Sequence, residues 1–233
     1  MLLNKQKSNK KRKIILLISV ICIISAVIFI AAFSKRICDD NKLTVCLDPG
    51  HGGDDSPGAT DGGSRYEKDD NLTFAFLVKD ELEKAGAEVI MTRESDESVT
   101  LEKRCDIANR SHADYCLCLH RNSAAEKSAH GSEVWINSLP SPDEQKLSQN
   151  IMEALESAGI SQNRGVKKGY RDGVGLNYYI NANTNMPACL IELGFISNER
   201  DNEDFDTKKE IYARAIADAV IKTYTSKITE KEQ

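Results

Sequence analysis

Three side chains capable of chemistry stand where apolar stretches of the sequence end. His51 follows the apolar stretch 43–47 and lies in a glycine-rich turn. His120 and Glu192 end two later apolar stretches. In an open α/β sheet the carboxyl ends of parallel strands lie along one edge, where ligands bind. We therefore expect these three side chains to lie close together.

Glu67 completes a set of two imidazoles and two carboxylates. It follows a loop rich in glycine and aspartate and precedes a predicted helix. Two imidazoles and one carboxylate, with an open position for water, form a known catalytic zinc site, and a further carboxylate can act as general base. Taken alone, Glu67 is typical of a solvated charge, whereas Glu192 lies in an apolar run where an unpaired carboxylate is costly. The set predicts metal-assisted hydrolysis.

The charge distribution argues against one class of partner. The 233 residues carry a formal net charge of −5, yet residues 1–13 contain six basic side chains and no acidic one. The remainder of the chain is therefore strongly acidic. A nucleic-acid-binding protein presents a basic face, so we expect no nucleic-acid partner.

The segment 14–33 predicts a membrane anchor. It is a run of 20 residues without a charged side chain, long enough to cross the ~30 Å hydrocarbon core of a bilayer. The preceding basic segment, 1–13, favours a cytoplasmic N-terminus and an extracytoplasmic body. A cleaved signal peptide is less favoured, because its apolar region usually runs only ~7–15 residues. We expect 34–42 to be a linker.

The cysteines predict core packing rather than a disulfide framework. One of the seven lies in the membrane segment, and four of the others lie in apolar, strand-like runs. A free cysteine in such a run behaves as a small hydrophobe. No dense disulfide spacing is visible.

Alternating strand and helix patterns predict a single α/β domain over 43–228, followed by a tail over 229–233. Its sheet is expected to be mainly parallel, with helices on both faces. The predicted strands are 43–47, 87–92, 113–119, 132–137, 176–180 and 188–192. The predicted helices run from Asp69 or Asp70 to 85, from 100 to 111, from 142 to 158 and from 208 to about 226, and 164–175 is predicted to be a basic surface loop.

Five short motifs together resemble one enzyme family. They are Asp48-Pro-Gly-His-Gly-Gly53, Glu67-Lys-Asp-Asp-Asn-Leu72, Thr92-Arg93, Leu119-His-Arg-Asn122 and Ile191-Glu-Leu-Gly-Phe-Ile-Ser-Asn198. Their order and spacing resemble the zinc-dependent N-acetylmuramoyl-L-alanine amidases of the amidase-3 family. The resemblance covers residues 44 to about 219.

The resemblance implies a ligand set, a catalytic group and a substrate. It implies His51, Glu67 and His120 as zinc ligands and Glu192 as the catalytic carboxylate. It implies hydrolysis of the amide that joins N-acetylmuramic acid to the L-alanine of the peptidoglycan stem peptide, by a zinc-activated water. Small anchored members resemble sporulation amidases. The sequence identifies no activator protein.

Further polar residues are candidates for supporting roles. Asn122 or Asp48 is expected to orient a metal ligand from outside the ligand set. Lys167, Lys168 and Arg171, in the basic loop, are candidates to meet carboxylates of the stem peptide.

Two other function classes compete with the zinc amidase. A cysteine hydrolase would use Cys118 or Cys116 with His120, since alternation along a strand puts Cys118 and His120 on the same side. The apolar neighbours of Cys118 disfavour it, because a nucleophilic thiol needs a polar, accessible setting. A non-catalytic wall-binding protein would not need all four candidate residues.

Overall fold

The computed structural model describes residues 42–54, 56–171, 173 and 176–231. The predicted membrane segment 14–33 lies outside the described residues. None of the helices within the described ranges is long and apolar enough to cross a membrane. Residues from Leu43 onward form one compact unit.

The described residues form six strands and five helices. In chain order they are β1 (Thr44–Pro49), α1 (Glu67–Lys84), β2 (Glu88–Met91), α2 (Leu101–Arg110), β3 (Tyr115–Asn122), β4 (Ser132–Ile136), α3 (Pro142–Ser157), β5 (Asn163–Lys168), α4 (Tyr179–Asn183), β6 (Ala188–Phe195) and α5 (Glu199–Lys231).

The six strands form a mixed sheet in the order β2-β1-β3-β6-β4-β5. Four neighbouring pairs are parallel, and β4 runs antiparallel to β6. The short connection 123–131 contains no helix, and a parallel crossover needs a dozen or more residues. The chain therefore reverses direction between β3 and β4, and the predicted mainly parallel sheet is confirmed only in part.

Helices cover both faces of the sheet, as predicted. On one face, α1, α3 and α5 pack over the larger apolar cluster, which includes Val45, Leu117 and Ile191. On the other face, α2 and α4 pack over a smaller cluster that includes Cys46 and Leu190. Each fully buried aliphatic side chain contributes ~1.5–3 kcal/mol. The five described cysteines are free and buried, which agrees with their predicted packing role: Cys46, Cys105, Cys116, Cys118 and Cys189.

The predicted strand 176–180 is wrong. Tyr179–Asn183 forms the short helix α4, whose backbone carbonyl at Ile180 accepts a hydrogen bond from Thr184 Oγ1 at 2.8 Å. A short apolar run does not distinguish a strand from a buried turn of helix. The sheet instead gains β5, which occupies the first part of the predicted loop 164–175. Its polar sequence suits a partly exposed edge strand.

Two helices begin earlier than predicted. Helix α1 begins at Glu67 after Tyr66, and neither Asp69 nor Asp70 caps it. Its buried face carries Phe74, whereas Phe76 is exposed. Helix α5 begins at Glu199 rather than near 208. The start of α1 matters for the site, because it places Glu67 in the first helical turn.

Candidate active site

Strand β1 delivers His51 to the edge of the sheet through a tight turn. His51 has φ 62°, in the left-handed region, which non-glycine residues rarely adopt. The preceding Gly50 lies against the imidazole of His120, where an added Cβ would come within 2.2 Å of the ring. The glycine therefore allows the ends of β1 and β3 to bring the two imidazoles together.

His51, Glu67 and His120 meet at one point. Glu67 Oε1 lies 3.3 Å from His51 Nε2 and 2.8 Å from His120 Nδ1. One ligand atom from each residue lies within 4.8 Å of the others. The structure thus brings together the three residues that were predicted from the sequence as metal ligands.

The carboxylate of Glu67 is fixed by backbone donors as well as by the imidazoles. Its Oε2 accepts from Ala59 N at 2.9 Å, and its Oε1 accepts from Arg121 N at 3.1 Å. Burial alone raises the pKa of Glu67, but hydrogen bonds and charge interactions with His120 and His51 hold the pKa well below its usual range. Glu67 is therefore ionised, as a metal ligand must be.

The donor set fits Zn²⁺. Two imidazole nitrogens and one carboxylate oxygen match the three protein ligands of catalytic zinc sites. His51 Nδ1 lies 3.1 Å from Ser56 Oγ, which leaves Nε2 facing the ligand cluster. A hydrogen bond to the outer ring nitrogen orients a ligating histidine.

Glu192 lies beside this cluster on the neighbouring strand. In the register of β3 with β6, Glu192 is the partner of His120. Glu192 is 7% exposed, and its Oε2 has no hydrogen-bond partner within the described part of the chain. Burial, opposed by the His120 charge and assisted by the Glu67 charge, raises the pKa of Glu192 to about 7. This carboxyl group is therefore poised to exchange a proton near neutral pH.

Arg104 was missed in the sequence analysis, yet it holds the His51 turn in place. It donates to the His51 carbonyl at 2.5 Å, to the Pro49 carbonyl at 2.8 Å and to Asp48 Oδ1 at 2.7 Å. A signal was available, because Arg104 shares the buried face of α2 with Ala108 at helical spacing. A buried arginine requires a partner.

Arg93 supports the same turn from the end of β2. Its guanidinium donates to the carbonyls of Pro49, Gly50 and Lys68 at 2.8–3.0 Å. The Thr92-Arg93 motif was noted in the sequence, but its role was not. Together the two buried arginines bind the carbonyls of a turn that has little secondary structure of its own.

The expected orienting roles of Asp48 and Asn122 require correction. Asp48 contacts no proposed ligand and acts through Arg104. Burial alone raises the pKa of Asp48, but the Arg104 charge and hydrogen bonds lower it overall. Asn122 also contacts no proposed ligand; it bonds Glu133 and Arg171. Among the described residues, the groups that hydrogen-bond the proposed ligands include Ser56 Oγ on His51, and Asn71 Nδ2 and two backbone N–H groups on Glu67.

An open cleft of about 740 Å³ lies over the cluster. The proposed ligands and Glu192 form its floor, residues 99–101 line one wall, and residues 177–180 line another. Arg171 lines the cleft, as the sequence suggested. Lys167 and Lys168 are exposed on β5 and do not line it. A cleft of this size accommodates a peptide-sized substrate.

Cys118 reaches the cleft, but as a thiol. It is 3% exposed, and its Sγ donates to Asp48 Oδ2 at 2.9 Å. Burial, together with the Asp48 charge, raises the pKa of Cys118 well above its usual value. His120 directs Nδ1 to Glu67. The pair is therefore not arranged as a thiolate and its base.

A family model and several known proteins match most of this chain. Residues 45–222 match the family model described as N-acetylmuramoyl-L-alanine amidase. Protein YqiI of Bacillus subtilis (strain 168) is 35% identical over 179 residues, which cover 76% of this chain and 81% of that protein. A Staphylococcus saprophyticus protein named "Probable cell wall amidase LytH" is 35% identical over 182 residues, and this chain spans 56% of its length.

Solved structures show the same fold. The N-acetylmuramoyl-L-alanine amidase from Clostridium difficile 630 has a TM-score of 0.74 and 30% identity, with 80% of this chain and 99% of that chain covered. The CwlD amidase from Clostridioides difficile, solved in complex with the GerS lipoprotein, has a TM-score of 0.70 and 30% identity, with 79% and 100% covered. The resemblance drawn from the five motifs is confirmed. The chain belongs to the amidase-3 family of N-acetylmuramoyl-L-alanine amidases.

Proposed function

We propose that this chain is a zinc-dependent hydrolase of peptidoglycan that cleaves the amide bond between N-acetylmuramic acid and L-alanine. Family membership supports the reaction. The observation that carries the proposal is the convergence of His51, Glu67 and His120 beside Glu192 on the floor of an open cleft. The name of the LytH relatives supports action on the cell wall side.

His51, Glu67 and His120 would hold the ion. When bound, Zn²⁺ supplies a Lewis acid that polarises the scissile carbonyl. Arg93 and Arg104 bind the backbone carbonyls of the turn and thereby keep His51 in its left-handed backbone conformation. The backbone donors to Glu67 keep its carboxylate in one orientation.

Glu192 moves the proton. Its unpartnered Oε2 accepts a proton from the attacking water as the new carbon–oxygen bond forms. The carbon–nitrogen bond then breaks, and Glu192 returns the proton to the leaving nitrogen. The products are the lactyl carboxylate of muramic acid and a free amino terminus on L-alanine. A pKa of about 7 allows one group to perform both transfers near neutral pH.

The competing function classes are disfavoured for physical reasons. A cysteine hydrolase needs a thiolate, whereas Cys118 is held as a buried thiol by Asp48. A non-catalytic binding protein would not require the buried Glu192 carboxylate, whose Oε2 has no hydrogen-bond partner within the described residues and therefore costs stability. The N-terminal anchor and a role in sporulation stay predictions.

Two glutamate-to-glutamine substitutions separate the roles. Glu192→Gln should keep zinc and lower turnover by ~10²–10⁴ or more, since a general base contributes about this factor. Glu67→Gln should lose zinc and activity together, because two remaining protein ligands rarely retain a catalytic ion. Glu153→Gln, an exposed change on α3, serves as the matched control. Zinc stoichiometry is measured beside release of L-alanine amino termini from purified peptidoglycan.

The opposite pattern would overturn the assignment. Loss of zinc in Glu192→Gln, with zinc and activity both retained in Glu67→Gln, would make Glu192 the ligand. Wild-type activity that survives complete removal of metal by a chelator would exclude zinc dependence.

A further inference from the structure

Three arginines line the cleft, and they differ in how their charge is balanced. Arg104 lies 2.7 Å from Asp48, and Arg121 lies 2.5 Å from Asp70. Within the described ranges, the carboxylate found within 4.0 Å of Arg171 is Glu192, at 3.9 Å. The Arg171 side chain is also 41% exposed. Arg171 therefore faces the cleft with hydrogen-bond donors available to a ligand.

Arg171 is held in position although it lies outside regular secondary structure. Its guanidinium donates to Asn122 Oδ1 and, at 3.5 Å, to the Ser123 carbonyl. Asn122 is itself fixed, because its Nδ2 donates to the buried Glu133 carboxylate at 2.9 Å. Glu133 also accepts from Trp135 Nε1 at 3.0 Å. This chain of bonds orients the guanidinium before a substrate arrives, which lowers the entropic cost of binding.

Aromatic rings border the same part of the cleft. Tyr170 packs against Tyr178 with ring centroids 4.8 Å apart, and Tyr178 packs against Trp135 at 5.5 Å. Apolar walls reduce the solvent around a bound ligand. A guanidinium–carboxylate pair formed there is therefore stronger than one on an open surface.

We propose that Arg171 binds a carboxylate of the stem peptide, carried by the residue directly after L-alanine, so that the cleft selects an acidic over an amidated second residue. The inference rests on the proposed function and deepens it. Arg171 lies 3.9 Å from the proposed base Glu192, and one peptide residue spans ~3.3–3.6 Å. A substrate carboxylate bound to Arg171 would then lie about one residue beyond the amide on which Glu192 acts.

The chemistry of the guanidinium gives the direction of selection. Its parallel N–H donors match the two oxygens of a carboxylate. A carboxamide offers one acceptor and turns its own N–H donors towards those of Arg171, which leaves donors unpaired. A hydrogen bond to a charged group stabilises a complex enough that its loss changes the rate about tenfold to a hundredfold.

Two matched substrates test the inference. Both are N-acetylmuramoyl-L-alanyl peptides with an amidated C-terminus, and they differ only in a glutamate or glutamine side chain at the second residue. The wild type should show a kcat/KM about tenfold to a hundredfold higher for the glutamate peptide. Arg171→Gln should bring the ratio close to one, and Arg171→Lys should retain part of it. Lys168→Gln, a basic residue of β5 outside the cleft, should leave the ratio unchanged.

The ratio of kcat/KM for the two peptides separates recognition of the side-chain carboxylate from other effects of Arg171. Its charge also acts on Glu192, but that effect is common to both substrates and cancels. If a peptide is not turned over, the same comparison is made from its inhibition of peptidoglycan digestion.

The inference and the proposed function fail in different ways. A wild type that digests peptidoglycan but treats the two peptides alike overturns the inference alone, as does a preference that survives in Arg171→Gln. A wild type with bound zinc that releases no L-alanine amino termini from peptidoglycan overturns the proposed function, and the inference falls with it.

Discussion

At the scale of single residues, the chemistry of the site depends on how its two glutamates are surrounded. The site places two glutamates next to the same imidazole and gives them opposite pKa shifts. Hydrogen bonds from the histidines lower the pKa of Glu67. Burial raises the pKa of Glu192, whose Oε2 has no hydrogen-bond partner among the described residues. Pairs of carboxyl groups whose environments separate their pKa values mark different roles in catalysis. The structure therefore supports a ligand role for Glu67 and a proton-transfer role for Glu192.

The raised pKa of Glu192 predicts the pH dependence of activity. The ionised carboxylate is the active form of a general base, so kcat/KM should fall as the pH falls through the pKa, approaching tenfold per pH unit. The pKa of Glu192 is about 7 in the protein without metal. A neighbouring Zn²⁺ lowers the pKa from this value, because an opposite charge favours the ionised form. The midpoint should therefore lie at or below about pH 7.

A pH series of initial rates on peptidoglycan measures this midpoint. The residual activity of Glu192→Gln should not show the same acid limb, provided that zinc stays bound throughout the range. An acid limb that persists in Glu192→Gln would assign the titration to another group.

The sequence predicted the four central residues but not the arginines that hold the His51 turn. His51, His120 and Glu192 were found because each ends an apolar run, and Glu67 because it completes a zinc ligand set. The roles of Arg93 and Arg104 were not predicted, because they bind backbone carbonyls. Every residue has a backbone carbonyl, so the sequence does not show which carbonyls an arginine binds.

At the scale of elements, the site depends on a turn that is held by its neighbours. The His51 turn lies between β1 and α1, and Arg104 on α2 binds its carbonyls across the cleft floor. Short elements were the ones mispredicted. Helix α4 and strand β5 each have too few residues for periodicity to decide, and their contacts with the rest of the domain determine their form.

Substitution of Arg104 tests this dependence. Arg104→Met should destabilise the domain by ~3–5 kcal/mol, since it leaves the buried Asp48 unpaired. It should also weaken zinc binding by roughly 10–100-fold, because His51 loses the bonds that orient its backbone. Zinc affinity is measured by competition with a chelator, and stability by urea unfolding.

Two further variants make the test specific. Arg104→Lys keeps a charge for Asp48 but cannot bind several carbonyls, so it should recover stability more than zinc affinity. Arg110→Met, on the same helix, removes a side chain that is 78% exposed and should change stability by less than ~0.5 kcal/mol. Unchanged zinc affinity in folded Arg104→Met would show that the turn holds its conformation without the arginine.

At the scale of the whole molecule, the sheet places all the chemistry at one edge. Strands β1, β3 and β6 are parallel neighbours, so His51, His120 and Glu192 emerge together. The alternating pattern predicted this arrangement. The antiparallel β4 was not predicted, because strand direction depends on the connection between strands rather than on the pattern within one. It contributes Glu133, which fixes Asn122 and, through it, Arg171.

The charge-free segment 14–33 predicts that the full chain is anchored in a membrane. A run of 20 uncharged, mainly apolar residues is long enough to cross the hydrocarbon core as a helix, and the basic residues before it favour the cytoplasmic side. The full-length chain expressed in a bacterial host should therefore remain in the membrane fraction after an alkaline carbonate wash. Protease added from outside the membrane should digest the chain from residue 34 onward and leave the N-terminal segment protected.

Two matched chains decide the matter. Ile24→Arg combined with Val27→Arg places charges at the centre of the span, at a cost of ~2.5–3.5 kcal/mol each, and should release a large share of the protein from the membrane. A chain that begins at residue 34 should leave the membrane fraction entirely and keep its zinc and its activity on peptidoglycan, since His51, Glu67, His120 and Glu192 all lie beyond the removed segment. A product of the full-length gene that is already cleaved after residue 33 would identify the segment as a signal peptide instead of an anchor.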